Sequence, residues 1–250
     1  MSALILTHDL HWYLLTTTVV LGVGGSTVAT RLHQRWLAVH GVSFTVVYGV
    51  TLIVAIVCGT LTLYGVPLLL PPVVQWPVDI ALGMVVGWGA FVADRAINRR
   101  CQRRELGRRP SQAAASGGEQ RVWRAMAAPA NAPAGEPASR RDLLVIAVLE
   151  EVVFRGVLVR FALSMDATPL IGALLVAIAG VFALEHLHFG WSHVAGKLPF
   201  SAVVTIGAVV LGSSVMPIAA HVMLNLLVFR HLRETSRLTV HRMARVRAPF

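Results

Sequence analysis

Glu150, Glu151 and Arg155 lie inside an apolar run that reads Leu143-Leu-Val-Ile-Ala-Val-Leu-Glu-Glu-Val-Val-Phe-Arg155-Gly-Val-Leu-Val. With its flanks, the run is long enough to cross a bilayer, which takes about 20 residues of helix. A charged side chain near the bilayer centre costs about 2.5–3.5 kcal/mol on insertion scales. Three such groups so close together are tolerated only where they turn inward and find partners, so the cluster marks a site. Later apolar segments supply candidate partners: His186, then His221 and Asn225.

Composition supports a membrane chain. Hydrophobic residues make up 56% and charged residues only 14%, where soluble domains carry about 25% charged residues. The formal charge of +10 invites a nucleic-acid reading, but the distribution argues against it. Of 22 basic residues, 11 fall between Arg95 and Arg141, and six more lie from Arg230 onward. Basic residues gathered beside apolar spans are a topology signal, so no nucleic-acid partner is expected. The N-terminus lacks a basic region and a small-residue cleavage site, so the first apolar stretch is expected to be retained. Cys58 and Cys101 are far apart, without disulfide or metal spacing, and read as ordinary residues.

The fold class expected is all-α, a polytopic transmembrane helical bundle of about seven spans near 10–30, 42–65, 78–97, 142–163, 169–189, 198–213 and 215–232. Residues 1–97 then hold three N-terminal helices and 98–140 a basic, largely disordered cytoplasmic loop. Residues 141–232 form the core that carries the polar residues, and 233–250 a basic cytoplasmic tail. Placing the loop, Arg31, Arg35, Lys197 and the tail inside leaves 64–79, which has no Lys or Arg, outside. The N-terminus is therefore expected outside and the C-terminus cytoplasmic. The arginine-rich loop can also lie against anionic lipids.

Several residues carry bland readings. Asp79 and Asp94 sit near the ends of their span and are expected to be solvated, and His188 and His193 to be wetted interface residues. Trp12, Trp76 and Trp191 fit an aromatic belt, and His8, His11, His33 and His40 read as interfacial. Glu185 reads as a structural partner of the site. Gly83-Met-Val-Val-Gly87 has the small-xxx-small spacing that permits close helix contact.

The spacing within the polar set is helical. Glu151 and Arg155 are four apart and can pair on one face, which leaves Glu150 about 100° round the helix. His221 and Asn225 repeat that spacing, as do Phe182 and His186. Three helices would each turn polar groups to a common interior. A carboxylate beside an imidazole can activate water, and amide or imidazole N–H groups can stabilise an oxyanion. Two histidines and a carboxylate are also the ligand set of many hydrolytic zinc sites, so Glu150, His186 and His221 form an alternative zinc site. The chain lacks a His-Glu-x-x-His segment, and the metal-free reading, with no cofactor, is preferred.

Glu150-Glu-Val-Val-Phe-Arg155, Phe182-Ala-Leu-Glu-His186 and His221-Val-Met-Leu-Asn225 together resemble the Glu-Glu-xxx-Arg, Phe-xxx-His and His-xxx-Asn motifs of the CAAX protease and bacteriocin-processing (CPBP, or Abi) intramembrane proteases. The resemblance spans about 141–232, and residues 1–140 add no motif. It implies an intramembrane endopeptidase that cuts near the anchored C-terminal tail or lipidated part of a membrane-bound protein or peptide. Glu150 with His186 would activate water, Glu151 with Arg155 would support Glu150, and His221 with Asn225 would form the oxyanion site. The family has been described both as metalloproteases and as glutamate-dependent, metal-free enzymes. Glu185 and His188, flanking His186, depart from the pattern and leave open which histidine acts. In a bacterium the protein would sit in the cytoplasmic (inner) membrane. The alternatives are a non-catalytic immunity or chaperone protein, or a small proton-coupled transporter using Glu150, Glu151 and Arg155.

Overall fold

The computed structural model describes residues 2–37, 42–63, 71–108 and 139–246. The centre of the basic loop, His40 and residues 64–70 lie outside them, as do the side chains of His8 and His188. The described chain is helical, without strands. Helix α1 spans Ser2–Leu32, α2 Phe44–Thr62, α3 Trp76–Arg108 and α4 Arg140–Glu151. A π-helical stretch at Val152–Leu158 joins α4 to α5 (Val159–Leu163). Helix α6 spans Thr168–Leu184, α7 Trp191–Leu211 and α8 Val215–Val246. Five segments are long and apolar enough to cross a membrane: Leu10–Arg35, Phe44–Thr62, Val73–Cys101, Thr168–Leu187 and Trp191–Leu211. The run from Arg140 to Leu163 is interrupted by its own charges, and the apolar part of α8, Val215–His231, is shorter.

Local signals place the helix ends. Ser43 caps α2 by accepting from Val46 N–H, and Ser139 caps α4 by accepting from Asp142 N–H at 3.2 Å, which satisfies donors that the first turn cannot pair. Gly190, at φ 106°, opens α7, so this helix starts seven residues before the expected 198. Gly212, at φ 59°, closes it in the left-handed conformation that glycine adopts without a Cβ penalty. Helix α3 likewise continues past 97 to Arg108, because Arg, Gln and Glu are good helix formers. Outside the packed centre, large apolar residues such as Val85, Val176, Ile206 and Val210 face outward, as lipid-facing positions do.

Helix α3 packs extensively along α8, and α1 along α2. At the α3–α8 contact a Cβ on Gly83 would lie 2.5 Å from the Met216 carbonyl oxygen, and one on Gly87 2.3 Å from that of Ala220. The small-xxx-small spacing thus brings two backbones together, directly beside His221. Without a hydrophobic drive between helices in lipid, such close van der Waals contact is what associates them.

Three expectations are corrected here. Asp79 and Asp94 are buried, at 4% and 9% exposure, because their span ends are covered by other helices and not by water. The Ser213 hydroxyl donates to Asp79 Oδ2, which ties the start of α3 to the α7–α8 turn. Asp94 fits only because its neighbour on α7 is Gly196, where a Cβ would collide with the carboxylate. Lys197, expected in a loop, lies inside α7, buried and within electrostatic reach of Asp94. His193 is buried as well, not wetted.

Replacing Gly87 by Ala should cost about 1–3 kcal/mol, the range for overpacking, because the facing atom is backbone and cannot rotate away. Gly89→Ala on the same helix, with nothing within 4 Å of the added Cβ, should be neutral or slightly stabilising. Thermal unfolding in detergent compares the two, and equal melting temperatures would remove the close-contact argument.

Candidate functional site

The site is built around a buried ion pair. Arg155 Nη1 lies 3.1 Å from Glu151 Oε2 and 3.2 Å from Oε1, and both side chains are fully buried. The i,i+4 spacing survives although Arg155 falls within the π-helical stretch. Such irregular turns recur at functional sites, where the wider turn re-aims side chains. The other terminal guanidinium nitrogen, Nη2, donates to the Ser201 hydroxyl at 2.7 Å and to the Ser201 carbonyl at 3.2 Å. The guanidinium carbon also sits 4.3 Å from the centre of the Phe182 ring, and a cation over an aromatic face is attracted by its quadrupole.

His221, from α8, stands between the two glutamates. Its Nδ1 is 2.9 Å from Glu151 Oε1, and its Nε2 is 3.8 Å from Glu150 Oε2. With Glu151 ionised against Arg155, the Nδ1 proton donates to it, so Nε2 is the nitrogen that faces Glu150. Asn225, one turn on, donates from Nδ2 to the Leu143 carbonyl at 3.3 Å and so ties α8 to the first turns of α4. One of its two N–H groups is used there.

Phe182 links the two histidine motifs. Its ring centre is 5.4 Å from that of His186 and 5.6 Å from that of His221, and Phe200 lies 5.5 Å from His221. His186 Nδ1 is 3.0 Å from the Phe182 carbonyl, a contact that orients the ring at the end of α6. The structure therefore brings Glu150, Glu151, Arg155 and His221 into one bonded cluster. His186 and His221 each pack against the Phe182 ring, and Asn225 is held at the α4–α8 seam. Among the described residues, no three His, Cys, Asp or Glu side chains are grouped so as to hold a metal ion. The set Glu150, His186 and His221 does not meet that requirement.

Two partners escaped the sequence reading. Tyr48, on α2, donates its hydroxyl proton to Glu150 Oε1 at 2.8 Å, and the phenol oxygen also lies 3.3 Å from Glu185 Oε2. Its ring is buried and stacked on Phe44 at 5.8 Å. A phenol has one proton, so the shorter contact takes it, and Glu150 gains a fixed orientation. Glu185, expected as a structural partner, thus joins the cluster through Tyr48. Ser201 is the second, 46 positions from the arginine it binds. Neither belongs to a motif, and a tyrosine or serine in an apolar helix gives no signal of its own at such separations.

Arg155→Met should cost about 3–5 kcal/mol, since removing one member of a buried pair strands the other charge. The double variant Glu151→Gln/Arg155→Met should be less destabilised than Arg155→Met alone. Denaturant unfolding of all the variants in detergent gives the coupling, and strictly additive losses would show that the pair is not the unit described.

Comparison with known proteins agrees with the motifs. Residues 140–227 match the family model described as type II CAAX prenyl endopeptidase Rce1-like. No curated protein and no solved structure matches the chain. The matched segment begins at the first residue of α4 and ends within α8, so it contains all three motifs and every residue of the cluster except Tyr48. Residues 140–227, the helices that carry the buried glutamates and histidines, are thus similar to the type II CAAX prenyl endopeptidase (Rce1-like) family.

Proposed function

We propose that this protein is an intramembrane endopeptidase that hydrolyses a peptide bond close to the anchored tail, C-terminal or lipidated, of a membrane-bound substrate. The observation that carries the reading is the cluster itself: two adjacent glutamates sharing one histidine, with an arginine compensating one glutamate and a tyrosine orienting the other. A purely structural ion pair needs only the Glu151–Arg155 half. Glu150, in contrast, is held by a neutral donor, Tyr48, and retains its second oxygen toward His221. That is the disposition expected of a general base, fixed in place yet with an oxygen directed at a reacting water.

In the proposed reaction Glu150, with His186, takes a proton from water as the oxygen attacks the scissile carbonyl carbon. The developing oxyanion is met from the other side by His221 and by the second N–H of Asn225. Donation from His221 Nε2 requires the ring to carry both protons, with Glu151 as its counter-ion at Nδ1. Collapse of the tetrahedral intermediate breaks the C–N bond, and the proton held by Glu150 passes to the departing amine. Glu151 and Arg155 act through the others, by holding His221. Water activation is assigned to Glu150 and His186 without a metal.

Nine to ten residues separate Arg140, at the start of α4, from Glu150, a depth of about 15 Å at 1.5 Å per residue. The carboxylates therefore sit well below the membrane surface, where an anchored substrate can reach them laterally or from the cytoplasmic side.

In cells carrying Glu150→Gln in place of the normal protein, membrane proteins with uncut termini should accumulate; a terminus-resolved proteome indistinguishable from the wild type would end the protease reading. On a substrate so identified, Tyr48→Phe should lower kcat about 10- to 100-fold with KM little changed. That corresponds to losing one hydrogen bond to a charged group, about 1.5–3 kcal/mol. Turnover by the purified enzyme should persist after exhaustive chelation, and loss of activity restored by zinc would overturn the metal-free assignment.

A further inference from the structure

Where α4 begins and the apolar part of α8 ends, the two helices enclose a groove of about 570 Å³ that the proposed chemistry does not use. Arg140, Arg230 and Arg233 line its sides, Leu226 and Phe229 supply apolar lining, and Glu234 is its single acidic member among the described residues. Arg230 Nε is already paired with Glu234 at 3.1 Å, on a solvent-exposed surface. Among the described residues, three arginines against one glutamate leave a surplus of two positive charges. The Arg233 guanidinium lies 5.4 Å from the centre of the Phe229 ring, which leaves its outward edge for a ligand.

The level of this groove narrows the ligand. Arg140 is the first residue of α4, and the apolar run starts at Leu143. Arg230 falls at the end of the apolar stretch Val215–His231. Both therefore lie at the boundary between hydrocarbon and water, with charge toward the water and Leu226 and Phe229 toward the acyl chains. An aqueous anion would have no use for the apolar lining, and a neutral lipid none for the charge. We infer that the groove is a binding site for the headgroup of an anionic phospholipid, its phosphate gripped by Arg140 and Arg233 and an acyl chain lying on Leu226 and Phe229. Arginine suits that role, since its planar fork meets two phosphate oxygens at once. Clustered arginines at the headgroup level attract the lipids of a negatively charged leaflet. Directly beneath, Asn225 joins α8 to the Leu143 carbonyl, so a lipid seated here clamps the seam that holds the oxyanion side of the cluster.

The test uses the full-length protein purified in mild detergent, titrated with phosphatidylglycerol or with phosphatidylcholine of the same acyl chains. Bound lipid is counted by native mass spectrometry. Phosphatidylglycerol should be retained at about tenfold lower concentration, and Arg140→Gln/Arg233→Gln should abolish that preference. Arg99→Gln/Arg100→Gln, which removes the same charge from exposed positions on α3 outside the groove, should leave it intact. Equal losses in the two double variants, or no preference in the wild type, would overturn the site. So would displacement of the lipid by inorganic phosphate, or by a peptide with a free C-terminal carboxylate, at matching concentration. If the glutamine pair does not fold, Arg140→Lys/Arg233→Lys keeps the charge without the fork. It should lower the preference several-fold, and an unchanged preference would also overturn the site. None of these readouts involves peptide hydrolysis, so the lipid site and the protease reading stand or fall separately.

Discussion

The contact between Glu151 and Arg155 is the constraint on which the rest of the site depends. Two fully buried charges are costly to desolvate, and their attraction offsets that cost only with good geometry and further hydrogen bonds. Ser201 from α7 supplies two of those bonds, Phe182 from α6 offers its ring face, and His221 from α8 completes the carboxylate. One ion pair thereby fixes the mutual placement of four helical segments. Lost partners here leave a bare charge in a low-dielectric interior, so the surrounding helices have little freedom to slide.

The histidine position depends on packing elsewhere. Helix α8 approaches α3 closely at Gly83 and Gly87, and the Ser213–Asp79 bond holds the turn before α8. These contacts set the height and rotation of α8, hence where His221 and Asn225 meet α4. The N-terminal helices are thus part of the site's construction: α2 contributes Tyr48 directly, and α3 acts through α8. The match to the CAAX protease family covers only the later helices, so Tyr48 is a contribution of this chain from outside the matched segment.

Much of the site was legible because helical spacing is a local property. Glu151 with Arg155 and His221 with Asn225 each recur at four residues, and the chain's own geometry puts each pair on one face, whereas His186 follows Phe182 by four residues in a 3-10 turn past the end of α6. The small-xxx-small pair was legible for the same reason. The expectations that failed for polar side chains concerned water. Asp79, Asp94, His193 and Lys197 were placed by their distance from the ends of apolar runs, as though those ends met solvent. Whether they do depends on which helix lies alongside, and here α3 and α7 cover one another, with Gly196 making room for Asp94.

From residue order alone came an all-α membrane bundle and the charged residues of the Glu150–Glu151–Arg155 cluster, because helix period and the cost of charge in hydrocarbon are properties of each segment. Tertiary structure decided which of those groups touch. Tyr48 reaches Glu150 across 102 positions and Ser201 reaches Arg155 across 46. No periodicity links such pairs, since their approach is set by how whole helices pack, and that is a property of the bundle.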